Sequence, residues 1–147
     1  LGLPAWAAMA ACLVVGVLAG RMVVPPPGPL VPRDGALVAH GELARALSTQ
    51  LAAQDGPVKV GLSFRAADGR YCRTFRDAPE RLAGLACRRG DAWAAEVTAA
   101  LAPAASPDYR TAGSETPPAV LATVDRLIAG APLDAAQERA ARDRGWR

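Results

Sequence analysis

The stretch from Val58 to Thr98 constrains this chain more than any other, because alternating apolar runs are broken there by turn chemistry at Asp68-Gly69, at Asp77 to Glu80 and at Gly90-Asp91. Asp-Gly between alternating runs is a strong hairpin signal, since a type I′ turn needs positive φ at both central residues. The pattern predicts four antiparallel strands in a meander: 58–65, 70–77, 81–88 and 92–98. A two-residue turn at Asp68-Gly69 sets Leu62 opposite Phe75 and Arg65 opposite Cys72. Centring the next hairpin between Pro79 and Glu80 sets Cys72 opposite Cys87. A turn at Gly90-Asp91 sets Arg88 beside Trp93 and Gly84 beside Val97.

With side chains alternating at period two, one face then collects Val60, Leu62, Phe64, Tyr71, Phe75, Leu82, Trp93 and Val97. The other collects Ser63, Arg65, Cys72, Thr74, Arg76, Cys87 and Glu96, with Leu85 as its one large apolar member. Residues directly opposed on antiparallel strands are close enough for a disulfide after slight local twist. Unpaired cysteines are usually buried, so two side by side on a polar face favour a Cys72–Cys87 bridge over a pair of free thiols. A bridge implies an oxidising compartment.

The chain has 147 residues, a net charge of +3 and 21% charged residues, a balance that by itself points to no polyanionic partner. The charges are unevenly spread: none occurs from Leu1 to Gly20, and the first is Arg21. About 20 such residues suffice to cross a bilayer as a helix, with Trp6 as interfacial anchor, Arg21 as the stop and Cys12 inside the span. A signal peptide or a buried core helix are the rival readings, and the Pro-rich continuation favours the span. The expected organisation is a transmembrane helix over 1–22, a Pro-rich spacer over 23–33, an α+β periplasmic domain over 34–100, a linker over 101–117 and C-terminal helices over 118–147. Within the domain, Asp34 is expected to cap a helix from 36 to 54 whose stripe of His40, Leu43, Leu47 and Leu51 covers the apolar face of the sheet. Thr116-Pro117 and Asp134 open the last two helices, 118–128 and 135–144, and the final helix either docks through Leu133 and Trp146 or stays solvated.

The inventory for catalysis is thin. His40, the only histidine, would have to serve any Ser-His-Asp or Cys-His mechanism. It sits among leucines, with no nucleophile elbow in the chain. Three cysteines and one histidine show no metal-ligand spacing, and no Gly-rich loop cradles a phosphate. The sequence therefore points to no enzyme, no cofactor and no metal site. Arg65, Arg70, Arg73, Arg76, Arg81, Arg88 and Arg89 interleave with Tyr71, Phe75 and Trp93. Such a pattern suits a nucleic-acid surface, a site for acidic groups or a plain solvated face. The expected register puts Arg65, Arg70 and Arg76 on one face and Arg73 and Arg88 on the other, at its edge. A sheet held behind a membrane span meets no nucleic acid.

Four stretches together resemble single-pass anti-sigma factors of proteobacterial type: Gly61 to Phe75 (GLSFRAADGRYCRTF), Leu82 to Arg88 (LAGLACR), Tyr109 to Ser114 (YRTAGS) and Pro132 to Trp146 (PLDAAQERAARDRGW). The resemblance implies a non-enzymatic membrane-anchored regulator of transcription, single-pass in the inner membrane with its C-terminal domain periplasmic. A cytoplasmic segment ahead of Leu1 would sequester an extracytoplasmic-function sigma factor. Implied partners are that sigma factor, the lipid bilayer and a periplasmic protein. The alternative is a membrane-tethered structural or interaction module of the envelope. An exported hydrolase using His40 is a third reading.

Overall fold

A computed structural model of the protein describes residues 16, 17, 20, 27–102 and 116–147. The expected span over 1–22 therefore lies almost wholly outside the described residues, as does most of the linker over 101–117. Among the described residues, no helix is long and apolar enough to cross a membrane.

The fold is α+β, and its sheet has six strands rather than the expected four, in the order β1-β2-β6-β5-β4-β3. The strands are β1 (Leu30–Arg33), β2 (Ala36–Ala39), β3 (Val58–Arg65), β4 (Tyr71–Asp77), β5 (Leu82–Arg89) and β6 (Ala92–Ala100). Helix α1 (Gly41–Thr49) follows β2, and α2 (Pro118–Leu127) and α3 (Ala135–Asp143) follow β6. The antiparallel meander β3–β6 is the one the turn signals predict. The additional hairpin β1–β2 is taken from the expected spacer and helix, and it joins the meander where Val38 meets Ala94.

That hairpin corrects two boundaries. Asp34-Gly35 is its turn, with φ of 51° and 75°, so Asp34 caps no helix. Asp and Gly tolerate this left-handed region better than other residues do, and the same Asp-Gly signal read at position 68 stands here unread. The expected helix over 36–54 shortens to 41–49, because 36–39 pair with 30–33 as a strand. His40 takes extended backbone at the helix N-cap and is exposed, off the leucine stripe. Leu43 and Leu47 are fully buried, as their spacing predicts.

The sheet is covered on both faces, which overturns the expected open polar side. One core joins α1, α3 and Trp146 to Val58, Val60, Tyr71, Phe75, Ala86 and Trp93. The other joins Val120 and Val124 of α2 to Phe64, Cys72, Leu85 and Cys87. The region 118–147 is thus part of this fold and not a separate appendage, and α3 docks.

Three departures from the expected register decide which side chains share a face. At the β3–β4 turn Arg65 pairs with Tyr71 and Phe64 with Cys72, one residue off the expected pairing, and the two strands shift again between Val60 and Ser63, so Val60 lies opposite Phe75. A one-residue slip exchanges the two faces of a strand. Phe64 therefore joins the α2 core, Ser63 turns inward under α3, and Leu62 is 39% exposed. The irregularity sits at Gly61, where a Cβ would lie 2.6 Å from Thr74 Oγ1, and that oxygen accepts from Leu62 N at 2.8 Å. A third shift between Leu85 and Ala86 puts Gly84 opposite Thr98 and sends Val97 to the α2 side. Cys72 opposite Cys87 and Arg88 opposite Trp93 stand as expected.

Candidate functional site

The sequence places Arg73 between Tyr71 and Phe75, in phase with the apolar face. The structure puts it at the centre of that face, fully buried, and not at an edge. A guanidinium brings five N–H donors in a fixed fork, and acceptors surround it. Nε donates to Ser63 Oγ at 2.9 Å, Nη1 to the Leu47 carbonyl at 2.6 Å and to the Ala46 carbonyl at 3.5 Å. Nη2 donates to the Gln50 carbonyl at 2.7 Å and to Glu138 Oε1 at 2.7 Å.

Ala46, Leu47 and Gln50 lie at the end of α1, which carries the negative end of the helix dipole; the Ala46 carbonyl already accepts from Gln50 N, and those of Leu47 and Gln50 lie where helical donors run out. The arginine of β4 therefore closes the end of α1 from inside the core. Burial pushes the Arg73 guanidinium below its ordinary pKa, opposed by the hydrogen bond and charge of Glu138.

Glu138 completes the network from α3. Its Oε1 also accepts from Ser63 Oγ at 2.7 Å, and its Oε2 accepts from Ala52 N at 3.1 Å. The cap that starts α3 is reciprocal: Asp134 Oδ1 accepts from Ala136 N and Gln137 N, while Gln137 Oε1 accepts from Asp134 N. Trp146 then covers Arg73, its ring 4.3 Å from the guanidinium carbon, and its Nε1 donates to the Ser48 carbonyl at 2.9 Å. Edge-on contacts join Trp146 to Tyr71 and to Trp93, at 5.7 and 5.6 Å between centroids. Sequence reading missed the Arg73–Glu138 pair. The available signals were the parity of Tyr71, Arg73 and Phe75, and the one-turn spacing of Glu138 and Ala141 on a helix otherwise polar.

On the opposite face Cys72 and Cys87 are disulfide-bonded and fully buried beneath α2. The predicted pairing is present, but its setting is a core and not the expected polar surface. His40 lines a depression with Glu42, Asp77, Pro79 and Glu80, against Pro27, Gly28 and Pro29. No nucleophilic hydroxyl or thiol is among its lining residues. Among the described residues, no group of three or more His, Cys, Asp or Glu side chains is placed to hold a metal ion.

The sheet end that carries the β3–β4 and β5–β6 turns is rich in arginine. Arg65 lies over Tyr71 at 4.8 Å and Arg88 over Trp93 at 5.5 Å. Arg70 bonds Asp68 at 2.7 Å and Glu96 at 2.6 Å. That pairing holds the Asp68 carboxyl below its usual range, and the bond to Glu96 raises Arg70.

Fold and site together define a small α+β domain stapled by one disulfide on one face of its sheet and by a buried arginine clamp on the other. Compared with known proteins, the chain matches no family model, no curated protein and no solved structure.

Proposed function

We propose that the described residues form the extracytoplasmic domain of a membrane-anchored anti-sigma factor, a regulator that acts by binding and not by catalysis. The observation that carries the compartment is the Cys72–Cys87 bridge, since cytosolic reductants keep thiols reduced and disulfides persist in oxidising compartments. The uncharged run from Leu1 to Gly20, followed by the Pro-rich stretch, supplies the anchor of this reading. The clamp around Arg73 supports a domain that holds one conformation, because every buried partner in it is satisfied by geometry that unfolding would destroy. In this reading a cytoplasmic segment ahead of Leu1 holds the sigma factor, and the outer domain receives the signal.

The test is capture of partners on the full-length protein from membranes, with and without envelope stress, read by mass spectrometry. Recovery of one sigma factor, together with raised expression of its regulon on deletion of the gene, is the expected result. Failure to recover any sigma factor under either condition, with an unchanged transcriptome on deletion, overturns the proposal. The arginine-rich sheet end favours a second reading, a tethered interaction module of the envelope, which that same negative result would leave standing.

A further inference from the structure

Arg88 is the anomaly of this molecule. Its Nε is the one buried side-chain nitrogen or oxygen among the described residues with no hydrogen-bond partner. Arg73, in a tighter setting, has an acceptor at each of its three nitrogens. Buried unsatisfied donors are rare in native folds, and each calls for a physical account such as a missing ion or ligand.

That nitrogen is shielded from solvent, and the same side chain lines a depression. The depression, of about 320 Å³, is lined by Arg70, Arg88 and Arg147 together with Asp68, Tyr71 and Trp146. Arg147 and Arg88 repel each other there, and Asp91 is the one carboxylate that acts on Arg88 attractively. Asp68 and Glu96, the other carboxylates nearby, are engaged by Arg70. Arg88 lies over Trp93, its strand partner, while Tyr71 and Trp146 give the depression its aromatic wall. With Arg70 held by Asp68 and Glu96, Arg88 and Arg147 are the guanidinium groups left to meet an anion.

We infer that this depression, between the β3–β4 and β5–β6 turns, is a binding site for a phosphate group. A phosphomonoester carries close to two negative charges near neutral pH and several acceptor oxygens. It can take two-point contacts from guanidinium forks, whereas a carboxylate offsets one charge only.

The site lies at the end of the sheet away from the β4–β5 turn. Pro79 and Glu80 of that turn share a depression with Pro27, Gly28 and Pro29, so the N-terminal segment joins at the other end. The phosphate is therefore presented from the side opposite that segment. Its source is either a free phosphorylated molecule or a lipid headgroup. The inference stands apart from the anti-sigma reading, since binding is measured on the chain alone.

The experiment follows the arginine Nε–H resonances of the detergent-solubilised 147-residue chain by NMR, at fixed ionic strength. The additions are inorganic phosphate, acetate, or phosphatidic acid doped into the micelles. A saturable shift of the Arg88 resonance with phosphate, absent with acetate, is expected and points to a free ligand. Saturation with phosphatidic acid alone supports the site and points to lipid. R88K, which keeps charge but loses the fork, and R147Q should each weaken binding about tenfold, while R45Q on the far face of α1 should not. An R88K chain that fails to fold shows collapsed amide dispersion, and R147Q at an exposed position then carries the test. No saturation with either phosphate source, an equal response to acetate, or wild-type binding by both variants overturns the inference.

Discussion

Arg73→Met tests the clamp most directly. The substitution preserves bulk but removes every donor, stranding the Glu138 carboxylate, whose side chain is 6% exposed. It also leaves the Leu47 and Gln50 carbonyls without their guanidinium donors. Breaking a buried pair by deleting one partner costs about 3–5 kcal/mol. Domains of this size hold only about 5–15 kcal/mol in total, so the variant sits near the edge of folding. Glu138→Gln is milder, about 1–3 kcal/mol, because an amide oxygen still accepts from Arg73 and Ser63.

The double variant R73M/E138L removes both charges at once and should regain about 1–3 kcal/mol over R73M alone. It cannot regain everything, since the end of α1 remains uncapped. Equilibrium urea unfolding followed by tryptophan emission reads this well, because Trp93 and Trp146 are both buried against the network. An R73M chain within about 1 kcal/mol of wild type would refute the reasoning, as would strict additivity of R73M and E138L.

Three further outcomes are expected. Replacing both Cys72 and Cys87 by alanine should cost about 3 kcal/mol or more by urea titration, the loop-entropy value for a separation of 15 residues, with lost packing added. Gly84→Ala should destabilise by about 1–3 kcal/mol, since the new Cβ would lie 2.5 Å from the Val97 carbonyl oxygen and 2.8 Å from Phe75 Cζ; thermal unfolding checks it. Asp68 has a folded-state pKa lowered mainly by its hydrogen bond to Arg70. Its contribution is therefore present above the unfolded value of about 3.9 and is lost as pH falls through the lower folded one. Asp68→Asn should flatten the acid limb of stability against pH below about 4, and an unchanged slope would count against the ion pair.

How much of this was legible follows from the range of each signal. The three turn signals of the meander are local chemistry: the hairpin centred between Pro79 and Glu80 gives the pairing of Cys72 with Cys87, and Gly90-Asp91 gives the place of Arg88 beside Trp93. The hairpin at Asp34-Gly35 carried the same signal, but a proline run before it and an amphipathic stripe after it suggested spacer and helix instead. The faces differ from the expected ones because strand phase is counted residue by residue, and a one-residue change at the β3–β4 turn, at Gly61 or between Leu85 and Ala86 moves the side chains beyond it.

The amino-acid order alone settled the four meander strands, the last two helices and the cysteine pairing, since each depends on neighbours within one turn or one hairpin. Tertiary structure alone decided that both faces of the sheet are covered and that Arg73 is interior. Glu138 stands 65 residues from Arg73 along the chain, and no spacing rule reaches across that distance. A buried cation is tolerable only where distant elements bring acceptors to it, so its role exists only once the chain has closed around it.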